Sequence, residues 1–131
     1  MSHTVEYDPE ENMVIAKVMG KVGLPDLLEC LANIMRVAKQ ENCHYILTDL
    51  HEATLEVSVS QTFSLPDTIG GMSKEQGIAI HDFKRVFVAA KGQDILQFYE
   101  TVSINRSHHT KLFYDMEEAK SWLREGRVNR Q

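Results

Sequence analysis

The chain predicts an α/β fold, a mixed sheet of about five strands opened by an N-terminal hairpin and packed with helices. Three observations carry this reading. Two strand-like stretches flank the turn-rich "DPEEN" near the N-terminus. Farther on, segments with helical spacing alternate with short strand-like runs, which is the pattern of crossovers between parallel strands. Two of those runs, "YILTDL" and "RVFVAA", are largely apolar or β-branched, as strands covered on both faces are.

Residues 5–8 and 13–20 form the hairpin; Val14, Ala16 and Val18 share one face of its second strand, and Met13, Ile15 and Met19 the other. Pro25 suits the start of a helix, in which Leu27, Leu28, Leu31, Ile34, Met35 and Ala38 recur on one face. After "YILTDL", Ser60 caps a short helix through Phe63 and Leu65 that Pro66 kinks or restarts. Gly70 and Gly71 break the pattern, and a second short helix starts near Ser73 and ends at Gly77. "RVFVAA" is the fourth strand. Asp94 and Gln97 open a helix that fades near Asn105, "KLFY" is the last strand, and Asp115 with Glu118 caps a final helix. The whole chain, 1–131, reads as one domain, with 125–131 a frayed polar tail.

Composition narrows function. The 131 residues are 43% hydrophobic and 25% charged with a net charge of -5, and no Lys/Arg run tracks a phosphate backbone, so nucleic acid is not expected as a partner. No signal-like leader or membrane-length apolar stretch is present, which leads us to expect a cytosolic protein. Cys30 and Cys43 have neither zinc-site nor disulfide-framework spacing and read as reduced, buried small hydrophobes.

Ligands of open α/β sheets bind beyond the carboxyl ends of the parallel strands. In this chain those ends offer Asp49, His51, Thr54 and Ser58 after the third strand, Lys91, Gly92 and Gln93 after the fourth, and Asp115 after the fifth. Lys91 beside Gly92, with a helix start following, is suited to a carboxylate or phosphate. Residues 70–80, with Met72, Ile78 and Ile80 beside the glycines, are read as a flexible segment of the same rim that covers a pocket or meets a partner. Adjacent pairs such as His51–Glu52 and His108–His109 diverge in extended chain and make poor metal ligands, so neither metal nor cofactor is expected. Ser58 and Ser60 lack the G-x-S-x-G elbow and no phosphate-cradling glycine motif occurs, so no enzyme is expected.

With these pieces placed, the chain resembles the STAS-like domains, specifically the stage II sporulation protein AA-like (SpoIIAA-like) group of small bacterial proteins. The resemblance rests on "AKVMGKV", "LPDLLECLANIM", "YILTDLHEAT" and the closing "FYETVSINRSHHTKLFYDMEEAKSWL". It implies a non-enzymatic regulatory or binding domain that meets a protein partner or a small anionic or apolar ligand. In the phosphorylated antagonists of this group a serine lies in a D-S-S-G-like motif at the start of the helix after the third strand. The matching stretch here, "LEVSVSQ", brings Ser58 and Ser60 near that position without the preceding aspartate or the following glycine. A phosphorylation switch and carriage of an apolar or lipid ligand are the alternatives, and a homodimer through exposed sheet or helix surface stays open.

Overall fold

A computed structural model describes residues 2–92, 94–106 and 108–128. Its elements are β1 (Ser2–Asp8), β2 (Met13–Val22), α1 (Leu24–Glu41), β3 (Tyr45–Leu55), α2 (Val59–Glu75), β4 (Lys84–Ala89), α3 (Asp94–Asn105), β5 (His109–Phe113) and α4 (Met116–Val128). The five strands lie in the order β1-β2-β3-β4-β5; β1 runs antiparallel to β2 and the rest are parallel. This is the mixed sheet with an N-terminal hairpin that the sequence predicts.

The hairpin turns on its polar side chains. Asp8 Oδ1 accepts hydrogen bonds from the backbone N–H groups of Glu10 (3.0 Å) and Glu11 (3.2 Å), while Asn12 takes a left-handed conformation at φ 53°. The Tyr7 hydroxyl then donates to Asn12 Oδ1 at 2.9 Å.

Three parallel connections each advance one strand in the same direction, and right-handed crossovers of that kind stack α1, α2 and α3 on one face. α4 takes the other. Neighbouring residues of β4 show this: Arg85 reaches the Tyr99 hydroxyl on α3, whereas Lys84 donates to the Trp122 carbonyl on α4. Ile46, Leu50 and Phe87 therefore pack beneath the three helices with Leu31, Leu65 and Leu96, and Leu47, Val86 and Val88 pack toward Ala119 and Leu123.

Two local expectations are corrected. The cap of α2 is Ser58, not Ser60: Gln61 N–H donates to Ser58 Oγ (3.0 Å) and Ser58 N–H to Gln61 Oε1 (2.9 Å), a reciprocal capping box. From there α2 runs unbroken through Pro66, Gly70 and Gly71, so Ser73 is a buried helix residue bonded to the Ile69 carbonyl at 2.7 Å and starts no second helix. Pro in a helix interior costs about 3 kcal/mol or more and each Gly about 1. Burial of Thr62, Leu65, Pro66 and Ile69 against the core offsets that cost, which local propensity does not see.

β3 is also longer than "YILTDL". Between Asp49 and Glu52 it carries one residue more than β2 does between Lys17 and Met19, a bulge that breaks the alternation by which a strand is read. At the other end of the chain α4 extends to Val128, beyond the expected start of a polar tail at 125, and residues 129–131 lie outside the described residues. Asp115 caps α4 as expected, its Oδ2 accepting from Glu118 N–H at 2.9 Å. Cys30 and Cys43 are buried free thiols, and burial pushes the Cys30 thiol up to about 11.

Two measurements test this architecture. Ser58→Ala should lower stability by about 1 kcal/mol in denaturant titrations, whereas Ser60→Ala should stay within about 0.5 kcal/mol of the parent. The second concerns His108, whose pKa is pushed down to about 4 by burial first and by the Arg85 charge next. The unfolded chain therefore binds the extra proton first, so this group's contribution is complete above about pH 6.5 and is lost as pH falls toward 4. His108→Asn should flatten stability against pH across that window, and an NMR titration of the native imidazole with its midpoint near 6.5 would refute the assignment.

Candidate functional site

β3 outruns its neighbour. It pairs with β4 only as far as Leu50 opposite Ala89, and residues 51–55 continue along β2. That overhang delivers His51 and Thr54 to the carboxyl rim, with Asp49 just before it and Ser58 just after. Asp49 is half-buried and accepts from the His51 backbone N–H at 3.0 Å, with His51 Nδ1 3.9 Å from the same oxygen. Thr54 is exposed opposite Lys21, and Ser58 follows as the α2 cap. Next to them Glu52 pairs with Lys17 at 3.0 Å, which holds the Lys17 ammonium above its usual range. Both partners are about half exposed, so the pair adds little stability.

Lys91 and Gly92 form the exposed turn after β4, where φ +96° at Gly92 calls for glycine. Gln93 lies outside the described residues. α3 then opens with Asp94 in its first turn, so a carboxylate already stands at the helix end expected to attract an anion. Residues 70–80 do not cover this rim. Residues 70–75 are the last turns of α2 and 76–80 follow it; the helix, 17 residues and so roughly 25 Å long, carries them toward the opposite end of the sheet.

Behind the rim, Leu50, Leu55, Val57, Leu65, Ile95 and Tyr99 line an apolar cavity of about 30 Å³. That is the space of about one water molecule, far below the roughly 300 Å³ at which small-molecule pockets begin. A second apolar cavity, of about 20 Å³, lies toward Ile78 and Phe83.

Sequence reading missed the outer face of α2. Val59 is 62% and Phe63 52% exposed, four residues apart on one side of the helix. The signal was present in the spacing: once Ser58 is the cap, Thr62, Leu65, Ile69 and Ser73 take the inner stripe and leave Val59 and Phe63 outside. The Arg106 guanidinium lies over the Phe63 ring at 4.9 Å, and its Nε donates to Asp67 at 3.1 Å.

At the opposite edge, an open cleft of about 700 Å³ runs between the second half of α2 and the junction of α3 with β5. His108 lines it and also lines a neighbouring groove of about 690 Å³ along β5. Among the described residues its buried Nδ1 has no hydrogen-bond partner, and neither has the buried Ser103 Oγ. Among the described residues no group of three or more His, Cys, Asp or Glu is placed to hold a metal ion, and no helix is long and apolar enough to cross a membrane.

No family model and no curated protein matches this chain. Solved structures do. The anti-sigma factor antagonist SpoIIAA in its unphosphorylated form is 10% identical with a TM-score of 0.56, over 94% of this chain and 98% of that one. An anti-sigma factor antagonist from Mycobacterium paratuberculosis is 13% identical with a TM-score of 0.56, over 94% and 95%. An uncharacterized protein of the DUF3478 family from Shewanella loihica, described as having a SpoIIAA-like fold, is 19% identical with a TM-score of 0.55, over 93% and 92%. Five strands in this order with three helices on one face and one on the other thus make the SpoIIAA-like, STAS-type fold.

Proposed function

We propose that the chain is a non-enzymatic protein-interaction domain whose docking surface is the carboxyl rim, residues 49–58 with the Lys91–Gly92 turn, extended by the first turns of α2. The exposure of Val59 and Phe63 beside that rim carries the reading. Burying one such side chain stabilises a complex by about 1.5–3 kcal/mol. Around them the exposed His51, Thr54, Ser60, Gln61 and Ser64 form a polar margin, so the patch has the apolar centre and hydrated border of an interface. Two of the fold neighbours are, by name, antagonists of anti-sigma factors, which supports a protein as the partner. The tight apolar cavities favour this over carriage of a lipid.

A photoreactive residue at position 64, introduced in the native host, should cross-link to one discrete protein. With that partner purified, Val59→Asp should weaken binding at least tenfold, about 1.4 kcal/mol, and leave the unfolding free energy within about 0.5 kcal/mol of the parent. Absence of a discrete cross-link, or affinity indifferent to Val59→Asp, overturns the reading.

One observation favours a phosphorylation-controlled version of the same surface, acting through Ser60. Ser58 spends its hydroxyl on the α2 cap, whereas Ser60 is exposed in the first turn, where the helix N-terminus stabilises added negative charge. Another structure with this fold, from Bacillus, is described as a phosphorylated form. Intact-mass analysis of protein from its own host should show a single phosphate, absent from Ser60→Ala; a phosphate that persists in Ser60→Ala, or none across growth conditions, removes this version.

A further inference from the structure

The cleft at the far end of α2 combines several features that core packing does not require. Lys74 and Arg106 line it against the single carboxylate of Asp67, which leaves one net positive charge, imidazoles aside, in a chain whose net charge is -5. Arg106 is preorganised by Asp67 at Nε and by the Phe63 ring, which leaves the outer edge of its guanidinium for another acceptor.

Gly70 and Gly71 also line the cleft, in the interior of α2. Each weakens the helix relative to alanine, yet a Cβ at either would meet nothing within 4 Å. No neighbouring side chain explains them, and their effect is to keep the helix surface bare along the cleft.

His108 forms another wall. It is 7% exposed, and its buried Nδ1 has no hydrogen-bond partner among the described residues, an arrangement that costs stability. Deeper in the sheet, Arg85 is 4% exposed and its Nη2 donates to the neutral hydroxyls of Tyr99 (2.7 Å) and Thr110 (3.2 Å). Its positive charge acts on His108 and adds to the field at this wall.

We propose that this cleft binds a small monocarboxylate with an apolar body. The carboxylate lies between Lys74 and the outer edge of Arg106, and the His108 imidazole supplies a third hydrogen bond once its ring turns toward the cleft. The apolar body rests on Gly70, Gly71 and Ile78. One net positive charge matches a monoanion better than a phosphate dianion, and the bare glycine surface admits a flat body that a branched helix face would exclude. The cleft begins about one turn of α2 beyond Phe63, whose ring touches Arg106, and carboxylate binding there does not require the partner proposed at the rim.

Benzoate, with acetate and inorganic phosphate as comparators, tests the assignment by ¹⁵N-resolved NMR titration of the full chain at constant ionic strength. Benzoate should produce saturable shifts at the Gly70, Gly71 and Gly77 amides and at the His108 ring, and bind at least tenfold tighter than acetate. Lys74→Gln combined with Arg106→Gln should weaken it at least tenfold. Gly71→Ala should raise Tm and yet weaken benzoate, a combination that a purely structural role for the glycine does not produce. No saturation at tens of millimolar, shifts scattered over the surface, affinity unchanged in the double variant, or phosphate binding tighter than benzoate would each overturn the proposal.

Discussion

The direction in which the chain crosses the sheet governs the rest of this molecule. Because β2, β3, β4 and β5 follow one another in spatial order, each right-handed crossover leaves its helix on the same face. That face is filled by three helices, and only the last helix remains to cover the other. α4 covers the β3–β5 side, so Lys17 and Glu52 stand exposed farther along and pair with each other on the surface. The buried Arg85 belongs to the same arrangement, joining β4 to α3 through Tyr99 and to β5 through Thr110 under the crowded face.

A fold built this way has two ends with different chemistry. At the carboxyl end, β3 overhangs β4, the bulge near His51 redirects its side chains, and α2 starts with its apolar side chains outward. At the amino end, the turn after α2 and the junction between α3 and β5 leave an open cleft with basic walls. α2 connects the two because it runs back along the sheet after β3. A single 17-residue helix therefore contributes its first turns to the proposed partner surface and its later turns to the proposed ligand cleft, with Arg106 over Phe63 where the two meet.

The likeness to anti-sigma factor antagonists lies in backbone architecture, at 10–13% identity. Architecture of that kind hosts many functions, and which one operates is decided by side chains at particular sites. The D-S-S-G-like motif implied by the family resemblance is absent here, and the structure separates the two serines near its place: Ser58 is engaged by the backbone of α2 and Ser60 is open to solvent. Identical side chains two residues apart thus have different chemistry because only one of them occupies the cap.

From the sequence by itself follow the order of elements, the hairpin, the mixed sheet, the amphipathic stripe of α1, the Asp115 cap and the burial of both cysteines. These depend on local periodicity, turn chemistry and capping, which are properties of neighbouring residues. Tertiary structure decided the rest. Pro66, Gly70 and Gly71 sit within one helix because burial of Leu65 and Ile69 outweighs local propensity, and β3 continues past Leu50 because β2 pairs with it through a bulge. Residues 70–80 lie toward the end opposite the expected rim because α2 is continuous. The meeting of Lys74, Arg106 and His108 in one cleft joins residues more than thirty positions apart, and only packing of the crossovers brings them together.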